Sequence, residues 1–179
     1  MVVLSKEKKS TDIKDTIMQW LLEEGVEVKK LEAPPHLRIK WGFDIFTPPP
    51  LRVNIKIFQP EKFNDRIVIL LGVQVSSVHL AELNRKNREG KVRFSAKLLK
   101  GLISVCSDCS IALQPSLVDF NTISVAKTLF HDNLTRELLV KTLINMINAY
   151  LYIIATFNEE LPHVVRDTGE QKEPSTTHM

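Results

Sequence analysis

Few residues in this chain are typed and spaced for chemistry. Cys106-Ser107-Asp108-Cys109 is a C-x-x-C, the spacing of a redox dithiol or of half a zinc site. Its setting weighs against both. The pair falls at the C-terminal end of an expected helix, where the dipole disfavours a thiolate. No second C-x-x-C and no H-x-x-x-H accompanies it, and the five histidines are scattered at 36, 79, 131, 163 and 178. We read inert thiols first, a local disulfide second and a metal or catalytic pair last. The other candidates for acid–base work are His79, Asp44, Asp119, His131 and Asp132, and nothing in their spacing pairs them. Within His131-Asp132-Asn133, Asp132 or Asn133 is expected to cap a helix. Phosphate-loop, dinucleotide, nucleophile-elbow and metalloprotease signatures are absent. The expectation is a protein that is not an enzyme and holds no cofactor.

One segment stands out by charge. Arg85, Lys86, Arg88, Lys91, Arg93, Lys97 and Lys100 face Glu89 alone, so residues 84–100 carry +6 while the rest of the chain carries −3. Clustered cations can bind phosphate backbones by releasing counterions. Phe94 is the segment's sole aromatic, and a single-strand binder needs interleaved rings on which bases stack. A solvated face is the first reading, an acidic protein partner the second, nucleic acid the third.

These residues sit in an ordinary globular chain. With 179 residues, 44% hydrophobic and 25% charged, it can bury a core without metals or disulfides. Residues 1–10 read as a flexible segment, 11–161 as one domain and 162–179 as a polar tail. The apolar run before Lys6 is too short for a signal peptide. The stretch Leu143 to Phe157 is interrupted by Asn145, Asn148 and Thr156, and falls short of the ~20 residues that span a bilayer. A cytoplasmic protein with no membrane partner is expected.

A first helix is expected over 11–24, with Ile13, Ile17, Trp20 and Leu21 on one stripe and Gly25 as its stop. The period then drops to two. Strands are expected over 26–31, 37–45, 51–57 and 66–75, the last nearly all apolar and therefore central. Thr47-Pro48-Pro49-Pro50 reads as a stiff hairpin link, ahead of a polyproline ligand. Ser76-Ser77 caps a short helix over 78–84, and a longer helix follows over 92–105. Two more strands, 111–114 and 122–130, precede a last helix over 134–160. The fold class is α+β, an antiparallel sheet with helices on one side, in the order α-β-β-β(-β)-α-β-β-α.

The last helix is the strongest functional lead. Residues 149–155 are apolar at seven consecutive positions. A helix apolar all round needs cover all round, and one sheet face covers one side. A second subunit is the simplest supplier of the rest. The candidate interface is Tyr150, Leu151, Tyr152, Ile153 and Ile154.

This element order, with the helix Ser77-Val-His-Leu-Ala-Glu-Leu83, the charged break, the Phe94 to Cys106 helix and the long closing helix, resembles a known architecture. It is similar to the α+β fold of type III secretion chaperones and to the related YbjN-like and uncharacterised archaeal families, over residues 11–160. The resemblance implies a homodimer that binds other polypeptides and needs no cofactor. Secretion chaperones are acidic, whereas this chain carries a net +3. Two rival functions stand beside the dimeric interaction module. One is a small nucleic-acid binder using 84–100. The other is a ligand-binding domain whose concave sheet is lined by Trp41, Phe43 and Phe58.

Overall fold

The computed structural model describes residues 3–33 and 37–162, with side chains from Ile13 onward. Eleven elements follow one another: α1 (Val3–Glu23), β1 (Glu27–Lys30), β2 (Ile39–Phe46), β3 (Asn54–Pro60), β4 (Arg66–Gln74), α2 (Ser77–Arg85), α3 (Arg88–Val105), β5 (Ser110–Pro115), β6 (Phe120–Phe130), a 3₁₀ turn (His131–Asn133) and α4 (Arg136–Glu160). The α+β class and the element order are those expected. Helix α1 starts at Val3, before the expected start at Thr11. The tail from 163 onward, with His163 and His178, lies outside the described residues, as does His36.

All six strands form one antiparallel sheet, in the order β1-β2-β3-β4-β6-β5. The first four are a meander. The chain then leaves β4, runs through α2 and α3, and returns at the far edge as β5 before β6 inserts beside β4. Alternation assigns the faces. Phe43 lies opposite Ile57, Ile57 opposite Ile69, and Leu71 opposite Val125, and all are buried. This face packs on Ile17 and Leu21 of α1, Phe94, Leu98 and Leu102 of α3, and Leu139, Met146 and Ile153 of α4. The opposite face carries Asp44 against Lys56 and Leu70 against Ala126. Gly42 lies there too. A Cβ on it would come within 2.7 Å of the Leu31 side chain, so only glycine lets Leu31 fold over this edge.

Three boundaries moved for local reasons. Helix α3 begins at Arg88, not near 92, because the Asn87 side chain accepts from the Gly90 amide at 2.8 Å. Glycine in the first turn resembled a break and is the residue that the cap holds. Helix α4 is capped by neither Asp132 nor Asn133. These fall in the 3₁₀ turn, and Thr135 takes the role by accepting from the Leu138 amide at 3.1 Å. The proline-rich link joins β2 to β3. Its Thr47 is buried, and its Oγ1 accepts from the Val53 amide at 2.8 Å.

Candidate interaction surface and the sites around it

Helix α4 has two apolar stripes. The first, Leu139, Leu143, Met146, Ala149, Ile153 and Phe157, is buried against the sheet and the other helices. The second is Val140, Ile144, Ile147, Leu151 and Ile154, followed by Asn158. Its spacing is 4-3-4-3-4, the seam of a coiled coil. At 3.6 residues per turn it lies about 100° round the helix from the buried stripe. Ile144 is 50% exposed, Leu151 41% and Ile154 39%. By length and hydropathy α4 could cross a bilayer, but eight of its residues are buried within this domain.

The other flank of α4 belongs to α3. The Tyr152 ring lies so close over Gly101 that a Cβ there would sit 1.8 Å from the ring carbon Cζ. Its hydroxyl donates to the Lys97 carbonyl at 3.1 Å. The five residues of the expected interface therefore divide. Leu151 and Ile154 are exposed, Ile153 is buried in the core, Tyr152 packs on α3 and Tyr150 is half-buried. Contiguity in sequence suggested one patch. Helical rotation sends five consecutive residues to three neighbours. Ile144, two turns before Leu151, is the exposed residue that a contiguous window missed, and a heptad count would have found it.

Near the C-terminal end of the seam, Ile153, Ile154, Phe157 and Asn158 of α4 line a pocket of about 210 Å³ with Val73 to Ser76 and His79. Ser76 caps α2, accepting from the His79 amide at 3.4 Å, and its Oγ is 2.7 Å from His79 Nδ1. The Phe157 ring meets the imidazole edge-on at 5.3 Å. Burial holds the imidazole below its ordinary pKa, favouring the neutral ring. The expected concave lining is not assembled. Trp41 and Phe43 lie on the helix side, their ring centroids 5.6 Å apart, while Phe58 sits opposite Gly42 on the other face.

The basic segment is largely neutralised where it stands. Arg85 pairs with Glu82, Lys91 with Asp119 at 2.6 Å, Arg93 with Glu89 at 2.6 Å, and Lys97 with Glu159 and Glu160, each at 2.8 Å. The hydrogen bonds that Lys97 donates to these two carboxylates, Glu159 first, raise its affinity for its proton. Among the described residues, Lys86, Arg88 and Lys100 form no ion pair. Lys86, Arg88 and Lys91 line an open cleft of about 520 Å³ with Ser116, Val118 and Asp119. Phe94 is buried and stacks on Phe120, so it offers no face to a base. Asp44 is held by Lys56, Asp119 by Lys91 and His79 by Ser76. These are three separate places.

Cys106 and Cys109 are disulfide-bonded, where free thiols were the first expectation. The turn leaving α3 sets their Cα atoms 5.3 Å apart, inside the range that a disulfide spans. Asp108 pairs with Lys127 at 2.8 Å, and that hydrogen bond keeps its carboxyl below the ordinary range.

Residues 13–157 match the family model described as an uncharacterized conserved protein family (DUF2299). The chain belongs to this family. No curated protein matches it. The crystal structure of an uncharacterized protein from Methanothermobacter thermautotrophicus is similar, with a TM-score of 0.71 and 24% identity over 82% of this chain and 96% of that one. The likeness shows a shared fold and extends the archaeal resemblance read from the element order. YbjN from E. coli matches over 87% of this chain and 90% of that one, with 14% identity and a TM-score of 0.37.

Proposed function

We propose that this chain is a non-catalytic, homodimeric protein-interaction module in which α4 pairs with α4 of a second copy. The observation that carries this reading is the 4-3-4-3-4 seam, apolar at five successive positions and exposed at Ile144, Leu151 and Ile154. A soluble monomer gains nothing from a second apolar stripe on one helix, whereas a helical partner buries it. The helix dipoles favour a second copy running antiparallel, because the N-terminal end of each α4 then lies beside the C-terminal end of the other. Asn158 continues the seam position of Ile144 and Leu151, where a polar residue favours one register. An antiparallel seam pairs its two classes of position, so the symmetric register sets Ile147 against Leu151 and Ile144 against Ile154 of the second copy.

Sedimentation velocity at micromolar concentration tests this. The wild type should run at twice its 20.4 kDa. Ile144→Glu with Leu151→Glu should run as a monomer. Ile103→Glu, which alters an equally exposed apolar residue on α3, should stay dimeric. A wild type found only as a 20.4 kDa species would end the proposal. Dissociation by Ile103→Glu, with the seam variant still dimeric, would move the interface elsewhere.

A further inference from the structure

The C-x-x-C turn brings more than two sulfurs together. Cys106 is buried and caps α3, and Cys109 leads into β5. Ser110 pairs with Ala126 across the β5–β6 ladder, so Cys109 falls level with Lys127. Lys127 lies opposite Ile69, on the helix side of the sheet, and its ammonium holds Asp108 Oδ2 at 2.8 Å. The other carboxylate oxygen, Oδ1, is 3.5 Å from Cys106 Sγ. One ligand atom from each of Cys106, Asp108 and Cys109 lies within 4.8 Å of the others.

We propose that, once the disulfide is reduced, Cys106, Cys109 and Asp108 bind a divalent thiophilic cation of the zinc class, with Lys127 anchoring the carboxylate from outside. The distances fit. Tetrahedral zinc with Zn–S of about 2.3 Å and Zn–O of about 2.1 Å sets sulfur and oxygen about 3.6 Å apart, close to the spacing present before any ion enters. Two thiolates on one zinc sit about 3.8 Å apart, and with the Cα atoms 5.3 Å apart side-chain rotation can reach this. The charges fit as well. Two thiolates and a carboxylate bring −3 against the cation's +2, and Lys127 supplies the remaining +1. A ligating carboxylate is ordinarily held by an outer hydrogen bond, and the Lys127 contact provides one. Ser107 and Asp108 are exposed, which leaves water a route to a fourth position. A sequence search for a second cysteine or histidine pair misses this arrangement, because its third ligand lies inside the C-x-x-C.

The redox state gates binding. A dithiol or phosphine reductant gives two electrons, the S–S bond breaks and each sulfur takes a proton. A dithiol leaves as its disulfide, a phosphine as its oxide with an oxygen from water. The cation then displaces the two thiol protons. The bonded pair cannot supply two thiolates, so the oxidised protein should not bind.

The full chain, reduced with a phosphine without oxygen, is titrated with Co²⁺ and then Zn²⁺. One equivalent of cobalt should produce thiolate-to-metal charge-transfer absorption, which zinc then abolishes. The oxidised protein and the Cys106→Ser/Cys109→Ser variant should show none. Asp108→Ala should weaken binding at least about tenfold, since even outer-shell partners contribute 10–100-fold. Its side chain is exposed, and an unchanged circular dichroism spectrum checks that this variant folds. Reduced wild type without the absorption at stoichiometric cobalt, or Asp108→Ala with wild-type affinity, would overturn the proposal.

Discussion

Gly101→Ala isolates the contact that commits Tyr152 to α3. On helix propensity alone, alanine inside a helix is better than glycine by about 1 kcal/mol. The tertiary structure reverses that sign. The new methyl would lie 1.8 Å from Tyr152 Cζ and 2.0 Å from its hydroxyl oxygen, where carbon contacts settle at about 3.5–4.0 Å. The ring has to swing away. It then loses its hydrogen bond to the Lys97 carbonyl, about 1 kcal/mol. It also loses much of its half-buried packing, roughly 1–2 kcal/mol for an aromatic ring of which part was already in water. The net expectation is a destabilisation of about 1–2 kcal/mol, or roughly 2–8 °C in Tm for a chain of this size. Urea unfolding followed by circular dichroism reads the difference directly. A double-mutant cycle supplies the sharper check. In a Tyr152→Ala background the steric term is gone, so Gly101→Ala should stabilise by up to about 1 kcal/mol. If Gly101→Ala stabilises the wild type as well, Tyr152 does not occupy that groove and the division of α4 into flanks fails.

Two further expectations follow from the sites flanking the seam. Burial lowers the His79 pKa from 6.5, so in the window just below 6.5 the unfolded chain binds more protons than the folded one. Stability should therefore fall as pH drops through 6.5 towards the lowered folded value. His79→Gln should flatten that slope, and equal slopes in urea titrations across this range would exclude the assignment. In the basic segment, Arg85→Ala, Lys86→Ala and Arg88→Ala together should change stability by no more than about 0.5 kcal/mol, because all three are surface positions and the one ion pair among them, Arg85–Glu82, is exposed on its cationic side. Any retention of the wild type on duplex DNA should weaken equally for all sequences, with a salt slope shallower by up to roughly three units. Sequence preference that survives high salt would contradict a purely electrostatic contact.

Patterning along the chain was enough for the class and order of elements. Alternation through Phe43, Ile45, Ile55 and Ile57 specifies strands with one buried face, because side chains on a strand alternate strictly. The unbroken apolar run of β4 specified an interior strand, and β4 lies between β3 and β6. The excess of apolar residues late in α4 was equally visible. These are local properties, fixed by backbone period and by the demand that apolar surface be covered. What the chain order could not contain was which neighbour covers which residue. That β5 returns at the edge and β6 inserts beside β4 depends on a long crossover with no signature of its own. Only that placement sets Lys127 beside Asp108. The exposed and buried stripes of α4 differ by one residue in register. Both read as apolar, and the sheet on one side with Gly101 and Tyr152 on the other decides which of them is left facing outward. Cations at Lys91 and Lys97 look unpaired in sequence because their anions, Asp119, Glu159 and Glu160, come from distant parts of the chain. Charge neutralises across space, and only the folded chain says across which space.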